Sequence, residues 1–222
     1  MYQEAEKWGN GEKQFRCSMN RDLNKRKQEM REAIWRKMEV DHIAAFPLPA
    51  RGRIPNFKGS NEAASQLRTL REYQTAHAIF VNPDAAQRSV RKLALLDSKK
   101  VVMATPKLKE GFIIVEPVSV RGKEAEAASI RGAFKYGKLI AELPEVDLAV
   151  EGCVAVDLQG KRLGKGGGYG DKEIKMVRQE HNDVRVLTTC HPIQIVEEVP
   201  AGGKDERIDI IVTPERIYHV RR

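Results

Sequence analysis

The sequence has little of what marks secreted, membrane-spanning and zinc-binding proteins. Cysteine occurs only three times in 222 residues, at the widely separated positions Cys17, Cys153 and Cys190. An odd and scattered set supports neither a disulfide framework nor a zinc knuckle, and it favours a reducing compartment, the cytoplasm. No apolar run approaches the ~20 residues of a membrane helix, and the polar N-terminus has no secretory signal pattern. We therefore expect neither a membrane span nor export.

Aromatic residues are also scarce, at 6% of the chain, and they are not interleaved with basic residues. A platform for single-stranded nucleic acid needs that interleaving, because bases stack on aromatic rings. The 39 basic and 31 acidic residues nevertheless give a formal charge of +8. Such a charge suits anionic partners such as nucleotides, polyglutamylated cofactors or nucleic acid. Nucleic-acid binding therefore stays a minor alternative.

What the sequence does contain is a glycine-dense, basic segment, GKRLGKGGGYGD, at residues 160–171. Glycine lets backbone N–H groups approach a ligand closely, because no Cβ intervenes. Arg162 and Lys165 add positive charge for phosphate, and Asp171 is a candidate magnesium ligand beside it. The polar run at 172–180 predicts a helix whose N-terminus faces the same anion. The segment therefore predicts a cradle for nucleotide phosphates.

Two well-known phosphate-binding motifs do not fit this segment. A Walker loop ends in Gly-Lys followed by Ser or Thr, and no Gly-Lys pair in the sequence precedes a hydroxyl. A dinucleotide fingerprint that starts at Gly164 fails, because Tyr169 occupies the position of its last glycine. The competing interpretation is a flexible turn without a ligand. The cations and the aspartate within a few residues favour the phosphate cradle.

Short apolar runs alternate with helical patterns through most of the chain. Strands are predicted at 76–82, 100–104, 112–115, 147–150, 153–156, 184–188, 193–196, 208–212 and 216–220. Helices are predicted at 23–46, at 61–72 with Ser60 as its cap, at 84–96, and from about Asp171 onward. This alternation favours a mostly parallel sheet covered by helices on both faces. Ligands of such sheets bind at the carboxyl ends of strands, where we expect the loop after Val156.

The domain organisation predicted from this pattern is simple. Residues 1–24 are polar and basic, with a turn signal at 9–11, and they predict an N-terminal extension. Residues 25–222 predict a single α/β domain.

Three segments in the right order resemble the 5-formyltetrahydrofolate cyclo-ligase (methenyltetrahydrofolate synthetase) family. Residues 147–171, DLAVEGCVAVDLQGKRLGKGGGYGD, resemble its strand, its D..G.RLG pattern and its glycine stretch. Residues 27–31, KQEMR, fit its K..LR pattern, and residues 205–213, DERIDIIVT, fit its D..vD.ivT ending. Residues 54–59 and 81–84 look closer to a divergent branch, the methenyltetrahydrofolate synthetase domain-containing proteins.

The resemblance implies a three-layer α/β/α fold with a mostly parallel sheet, similar to that of glucosamine-phosphate deaminase and ribose-phosphate isomerase enzymes. It also implies an enzyme of one-carbon metabolism that converts 5-formyltetrahydrofolate to 5,10-methenyltetrahydrofolate and releases ADP and phosphate. ATP phosphorylates the formyl oxygen, which makes it a good leaving group, and the N10 amine then closes the ring. The implied cofactors are ATP and Mg²⁺, and the implied substrate is a reduced folate.

The resemblance also assigns roles to residues. Lys27 and Arg31 would face nucleotide phosphates, and their spacing of four puts them on one side of a helix. The nucleotide-binding residues of the glycine segment would be Arg162, Gly164, Lys165, Gly166, Gly167, Gly168, Tyr169 and Asp171. Lys165 and Arg162 are the candidate catalytic cations, since phosphoryl transfer needs its developing charge neutralised. Asp171 and Asp205 match the family's magnesium ligands.

Each role has a competing interpretation. Lys27 and Arg31 could form a solvated helix face, and Tyr169 could pack at the base of the loop. Asp171 could cap its helix, and Asp205 could be a surface turn residue.

Three positions depart from the family pattern, all on the folate side. Gly170 replaces the second tyrosine of a Tyr-Tyr-Asp signature, and Glu151 stands where the family often has proline. The family's folate-fixing acid aligns near Ala86 or Gln87, and neither is acidic. The sequence therefore supports ATP binding more firmly than folate binding. Two alternatives stay open: an ATP-binding relative that acts on another formyl or acyl compound, and a non-catalytic basic module for RNA or protein.

Overall fold

The structure is a computed structural model that describes residues 19–181 and 183–220. The strands are β1 (Ala44–Ala45), β2 (Asn56–Phe57), β3 (Ala78–Val81), β4 (Lys100–Ala104), β5 (Phe112–Val115), β6 (Lys138–Ile140), β7 (Leu148–Val150), β8 (Ala155–Asp157), β9 (Arg162–Leu163), β10 (Arg185–Thr189), β11 (Ile195–Val196), β12 (Ile210–Val212) and β13 (Ile217–His219). The α-helices are α1 (Tyr2–Val40), α2 (Ser60–Gln66), α3 (Arg71–Thr75), α4 (Arg88–Leu96), α5 (Glu124–Ala127), α6 (Ile130–Tyr136) and α7 (Tyr169–Glu180). Short 3₁₀ turns are Leu67–Thr69, Ala85–Gln87, Pro106–Leu108, Pro117–Val120 and Pro192–Gln194.

The largest sheet has eight strands in the order β13-β12-β10-β7-β3-β4-β5-β6. Its central strands β12, β10, β7, β3 and β4 are parallel. The edge strands β13, β5 and β6 run antiparallel to their neighbours. Every residue of β3 and β7 is buried. Strands buried on both faces need no polar alternation, which is why they stand out in the sequence as continuous apolar runs. The prediction of a mostly parallel sheet is confirmed.

Successive residues of the central strands point to opposite faces, so the sheet separates two cores. On one face, Ile79 packs in a cluster with Val90 of α4. On the other face, Phe80 packs in a cluster with Ile174 and Val177 of α7. Helices thus cover both faces, which gives the three-layer α/β/α arrangement.

A third core attaches α1 to a small sheet of order β11-β8-β9. Ile34, Trp35 and Met38 of α1 cluster there with Val154 and Leu163. Their spacing along the sequence puts them on one face of the helix. Because β9 lies within the glycine segment, directly before Gly164, this packing brings the preceding turns of α1 beside that segment.

The predicted continuation of the first helix to residue 46 is wrong. His42 adopts a left-handed φ of 53°, and Ile43 N donates to Met38 O at 2.8 Å. That bond closes α1 at Val40, before the prolines are reached. The predicted extension over 1–24 and its turn at 9–11 lie largely outside the described residues and stay predictions.

Three smaller predictions also need correction. Ser60 is the first residue of α2 and not its cap, which is Gly59 with a φ of 93°. The helix predicted at 61–72 is split into α2 and α3 by a 3₁₀ turn. The strand predicted at 153–156 corresponds to β8, which pairs with β9 and β11 outside the main sheet. Within the described residues, no helix is both long and apolar enough to cross a membrane.

Candidate functional site

A cleft of about 330 Å³ opens at the carboxyl ends of the parallel strands β3, β4 and β7. Its lining includes Asn82 and Asp84 after β3, Thr105 after β4, Glu151 after β7, and most of the glycine segment. Parallel sheets bind ligands at this edge, and small-molecule sites span roughly 300–1,000 Å³. The glycine segment reaches the edge as predicted, although it arrives through the small sheet.

The glycine segment forms the turn from β9 into α7. Gly166 has a φ of 108° and Gly168 a φ of 68°, conformations that side chains rarely adopt. Gly168 caps α7, and no described side chain accepts a bond from its first N–H groups. Asp171 lies inside the helix, so the interpretation of Asp171 as a cap is wrong. The free N–H groups and the helix dipole together favour an anion at this end.

Helix α1 contributes two cations at the border of this turn. Lys27 Nζ lies 2.6 and 2.5 Å from the two carboxylate oxygens of Asp205. One helical turn later, Arg31 Nε donates to Gly164 O at 2.8 Å. Burial lowers the pKa of Arg31, and the carboxylates of Asp205 and Asp171 oppose that shift. Lys27 does not lie on a solvated helix face, because its side chain is only 13% exposed.

Arg162, the β9 residue near the start of the glycine segment, is buried. Its Nη1 donates to Gly152 O at 3.0 Å, and its Nη2 donates to Asp171 Oδ1 at 2.8 Å. Burial alone would lower the pKa of Arg162, but the carboxylates of Asp171 and Glu151 outweigh burial and raise it. The guanidinium therefore stays charged and faces carboxylates, whereas the sequence predicted that it would wrap phosphates.

The loop that carries Asp205 joins the same assembly. Asp171 Oδ1 accepts a hydrogen bond from Glu206 N at 3.1 Å, and Asp205 accepts one from Gly202 N at 2.6 Å. Three segments that are distant in sequence, α1, the glycine segment and this loop, are thus connected by direct contacts. The surface-turn interpretation of Asp205 is incomplete, because its carboxylate binds Lys27.

Lys165 and Tyr169 line the open side of the cleft. Lys165 Nζ contacts Asp84 Oδ1 at 2.7 Å, and its side chain is 42% exposed. The ring of Tyr169 is partly buried and lies 5.6 Å from Lys172 Nζ. An exposed ammonium held by one carboxylate can change partners at little cost, so Lys165 is free to meet a phosphate.

Two buried carboxyl groups that were not predicted as site residues, Glu151 and Glu173, also line the cleft. They are 1% and 6% exposed, and their carboxyl groups lie within hydrogen-bonding reach of each other. Burial, and then repulsion by Glu173, raise the pKa of Glu151 well above its ordinary value. Burial raises the pKa of Glu173 to about 7. The pair therefore keeps a proton near neutral pH.

Both residues stand next to buried apolar residues in the sequence. Glu151 directly follows the buried strand β7, and Glu173 shares its helix face with the buried Ile174 and Val177. Acidic residues are rarely buried without a partner or a function. An acidic residue on an otherwise apolar face therefore indicates a candidate site residue.

The lack of a side chain at Gly170 leaves room for Arg162 and Glu151. A Cβ on Gly170 would lie 2.9 Å from Arg162 Nη2 and 3.1 Å from Glu151 Oε2. The volume that a tyrosine side chain would enter is filled by the guanidinium and the carboxyl group. The two departures from the family pattern, Gly170 and Glu151, are consequently one structural unit.

Gly170→Ala is expected to lower the free energy of unfolding by about 1–3 kcal/mol, because overpacking displaces a guanidinium that is held on two sides. Urea denaturation measures the loss. Gly203→Ala is the matched control, since nothing lies within 4 Å of its ideal Cβ. It should change stability by less than about 0.5 kcal/mol. Equal effects of the two substitutions would contradict the crowded geometry at Gly170.

The donor set around Asp171 fits a magnesium ion that is shared with a nucleotide. Asp171 Oδ2 has no partner among the described residues, whereas both oxygens of Asp205 contact Lys27. No cluster of three His, Cys, Asp or Glu side chains within the described ranges could hold a metal alone. Mg²⁺ commonly takes one or two carboxylates and completes its shell with phosphate oxygens and water. Asp171 meets that need directly, and Asp205 would first have to release Lys27.

Comparisons with known proteins agree with one another. Residues 10–214 match the 5-formyltetrahydrofolate cyclo-ligase family. The chain is 38% identical over 201 residues to the methenyltetrahydrofolate synthase domain-containing protein of Mus musculus, covering 86% of this chain and 54% of that protein. It thus spans about half the length of the curated relatives it matches.

The fold is similar to that of the Aquifex aeolicus 5,10-methenyltetrahydrofolate synthetase, with a TM-score of 0.56 and 20% identity over 88% of this chain and 93% of that one. It is also similar to the Mycoplasma pneumoniae 5,10-methenyltetrahydrofolate synthetase, with a TM-score of 0.53 and 13% identity over 84% and 97% of the two chains. The predicted three-layer α/β/α fold is confirmed.

Proposed function

Since the chain belongs to the 5-formyltetrahydrofolate cyclo-ligase family, we propose that it converts 5-formyltetrahydrofolate to 5,10-methenyltetrahydrofolate with ATP and Mg²⁺, in the cytoplasm. The observation that carries the proposal is that α1 and the Asp205 loop contact each other and the glycine segment, which lines the cleft. Each of the three supplies a charged group or free N–H groups suited to a triphosphate or its metal ion.

The phosphates would lie against the N-terminus of α7, between Arg31 and Lys165. Arg31 donates to two neutral oxygens, Gly164 O and Gln28 Oε1, so it need not leave a hydrogen-bonded carboxylate to meet an anion. Lys165 would leave Asp84 and follow the charge as it develops on the transferred phosphoryl group. Mg²⁺ bound at Asp171 would screen the charge of the phosphate oxygens. Preorganised cations and N–H groups of this kind stabilise the transition state more than the ground state.

The proposed chemistry proceeds in two steps. The formyl oxygen attacks the γ-phosphorus, which forms an O–P bond and breaks the bond to ADP. N10 then attacks the formyl carbon, phosphate leaves, and N10 loses its proton. The task of this chain is to hold the two reactants in line and to keep water from the phosphorylated intermediate. Ile54, Pro83 and Ile130 supply apolar lining for that purpose.

A direct assay tests the proposed reaction. Incubation with ATP, Mg²⁺ and 5-formyltetrahydrofolate should raise the absorbance of the methenyl product and release ADP in equal amount. Omission of ATP should abolish both signals. Absence of product above the enzyme-free background, with a protein that still binds nucleotide, would contradict the reaction.

Lys165→Ala and Asp171→Ala are each expected to weaken the use of ATP by roughly 10–100-fold, the effect of losing one charge-assisted contact to phosphate or metal. Asp171→Ala should also raise the magnesium concentration needed for half-maximal rate. Steady-state kinetics at varied ATP and Mg²⁺ measure both effects. Lys175→Ala, an exposed lysine on α7, is the control and should leave the kinetics unchanged. If Lys165→Ala and Asp171→Ala left the kinetics as unchanged as the control does, the assignment of the glycine segment as the ATP site would be refuted.

A second candidate function is ATP-dependent activation of a different formyl or acyl compound. It is favoured by the unit of Gly170, Arg162 and Glu151, which replaces an aromatic wall by a charged one. This candidate predicts stabilisation of the protein by nucleotide, with no turnover of the folate.

A further inference from the structure

Two buried thiols that the proposed reaction does not use lie beside each other in the core. Cys153 and Cys190 are 1% and 0% exposed, and neither belongs to a disulfide. Both side chains pack in the core that α7 covers, in one cluster with Ile174. A single buried cysteine usually serves as a small apolar residue. A second thiol beside it adds chemistry, because two neighbouring thiols can be oxidised to a disulfide.

The strand register brings the two thiols together. Val150 of β7 pairs with Leu187 of the parallel strand β10, and three residues further along each chain come Cys153 and Cys190. Neighbouring strands lie about 4.8 Å apart, within the roughly 4.4–6.8 Å that a disulfide requires between its two Cα atoms. The two thiol groups also lie within hydrogen-bonding reach of each other. Register and packing thus place this pair for an S–S bond.

The two thiols differ in reactivity. The Cys190 thiol donates a hydrogen bond to Cys153 and lowers its pKa, although burial opposes the shift. The positive charge of Arg162 adds to the lowering. The same hydrogen bond, together with burial, raises the pKa of Cys190 well above its ordinary value. The thiolate is the nucleophile in thiol oxidation, so Cys153 is the attacking group and Cys190 the resolving group.

We infer that Cys153 and Cys190 form a reversible oxidation site that takes a small hydroperoxide as its oxidant. With hydrogen peroxide, the Cys153 thiolate attacks one oxygen, an S–O bond forms and the O–O bond breaks. The departing hydroxide takes up the proton that the thiol gave up. The Cys190 thiol then attacks the sulfur of this sulfenic acid, an S–S bond forms, and the hydroxyl group leaves as water with the thiol proton. Two thiols are oxidised while one peroxide is reduced to two water molecules.

The S–S bond would act on the cleft through Gly152, the residue before Cys153. Gly152 lines the cleft, and its carbonyl oxygen accepts a hydrogen bond from Arg162 Nη1 at 3.0 Å. Sulfur atoms at hydrogen-bonding separation must approach to about 2.05 Å, so the backbone at Cys153 has to shift. Arg162 also binds Asp171 in the first turn of α7. A shift of the Gly152 carbonyl therefore loosens the start of that helix.

The test uses the whole protein with the substitution Cys17→Ser, so that Cys153 and Cys190 are the only thiols. Hydrogen peroxide is the oxidant, and peptides are mapped by mass spectrometry without reduction. Both thiols are reached through local opening of the fold, so the incubation continues until the thiol count is constant. We expect one intramolecular bond between Cys153 and Cys190, which dithiothreitol removes.

Hydrogen exchange measures the effect of the bond on the cleft. Amide protons in the first turns of α7 are expected to exchange at least about fivefold faster in the oxidised protein, the effect of weakening one hydrogen bond to a charged group. Cys153→Ala, in the same Cys17→Ser protein, lacks the attacking thiol and is the matched control. Peroxide should leave its exchange rates unchanged. Thermal unfolding checks that this variant is folded, and the peptide mapping does not depend on it.

The outcomes separate this inference from the proposed function. A Cys153–Cys190 bond that forms, accelerates exchange in α7 and is reversed by dithiothreitol supports the inference. Thiols that stay reduced, oxidation that ends at sulfinic or sulfonic acid, or a disulfide that leaves exchange in α7 unchanged would each overturn it. The reaction is judged on the reduced protein alone. Absence of methenyl product there leaves the oxidation site standing, and turnover without a disulfide leaves the reaction standing.

Discussion

Arg162→Ala is expected to lower the free energy of unfolding by about 3–5 kcal/mol and to reduce turnover by roughly 10²–10³-fold. The guanidinium is buried, and it binds Gly152 O and Asp171 while facing Glu151. Its removal would leave Asp171 and the carboxyl pair without their central cation. The carbonyl of Gly152 and the start of α7 would lose their common partner as well. Both the stability of the domain and the shape of the cleft therefore depend on this side chain.

Guanidinium denaturation and the methenyl-product assay measure the two effects of this substitution. Arg162→Lys should have a stability and a turnover between those of the wild type and Arg162→Ala. An ammonium keeps the charge, but it cannot bind both partners as a planar guanidinium does. Arg131→Ala, an exposed position on α6, should change stability by less than about 0.5 kcal/mol. If Arg162→Ala were as stable as Arg131→Ala, the guanidinium would not be the group that holds these carboxylates together.

The stability of the protein is expected to fall by about 2–3 kcal/mol as the pH rises from 5 to 8, at ~1.4 kcal/mol per pKa unit. Burial raises the pKa of Glu173 from 4.5 to about 7. Between these values the folded state binds more protons than the unfolded state, so stability decreases with increasing pH. Below the unfolded value the carboxyl is protonated in both states and imposes no cost. Above the folded value the full cost of a buried second charge is present.

Chemical denaturation at several pH values measures this slope. Glu173→Gln should flatten it, because a neutral amide can donate to Glu151 at every pH in the window. Glu180→Gln should keep the wild-type slope, since Glu180 is exposed at the end of the same helix. A wild-type stability that is constant or rises over this range would mean that the pair carries no proton.

Most of the sheet could be predicted from the sequence, and for a physical reason. Strands buried on both faces must be apolar throughout, so β4 and β5 are found at the predicted bounds. The end of α1 could not be predicted, because it depends on a left-handed residue, His42, and not on a proline. The place of β8 in a small sheet could not be predicted either, since an apolar run does not reveal which strands it will pair with.

The candidate site was predictable where it is continuous in sequence. The glycine segment and the spacing of Lys27 and Arg31 are local patterns, and in the structure Arg31 contacts the glycine segment at Gly164. The orientation of Arg162 depends on contacts with residues that are distant in sequence. The sequence predicted that Arg162 faces phosphates, whereas in the structure it faces carboxylates. The same holds for Gly170 and Glu151, which the sequence presents as two unrelated departures. Only the fold brings them together around one guanidinium.

The central claim is that α1 and the glycine segment bind the phosphates of one nucleotide. Calorimetric titration of the wild type, Arg31→Ala and Lys165→Ala with a magnesium-bound, non-hydrolysable ATP analogue tests it most directly. We expect 1:1 binding with a Kd on the order of 1–100 μM, near ordinary substrate affinities, and at least about tenfold weaker binding in each variant. The opposite result would be no saturable binding, or equal affinities in all three proteins, with an RNA oligonucleotide bound in a strongly salt-dependent manner. That result would leave a basic binding module in place of the proposed enzyme.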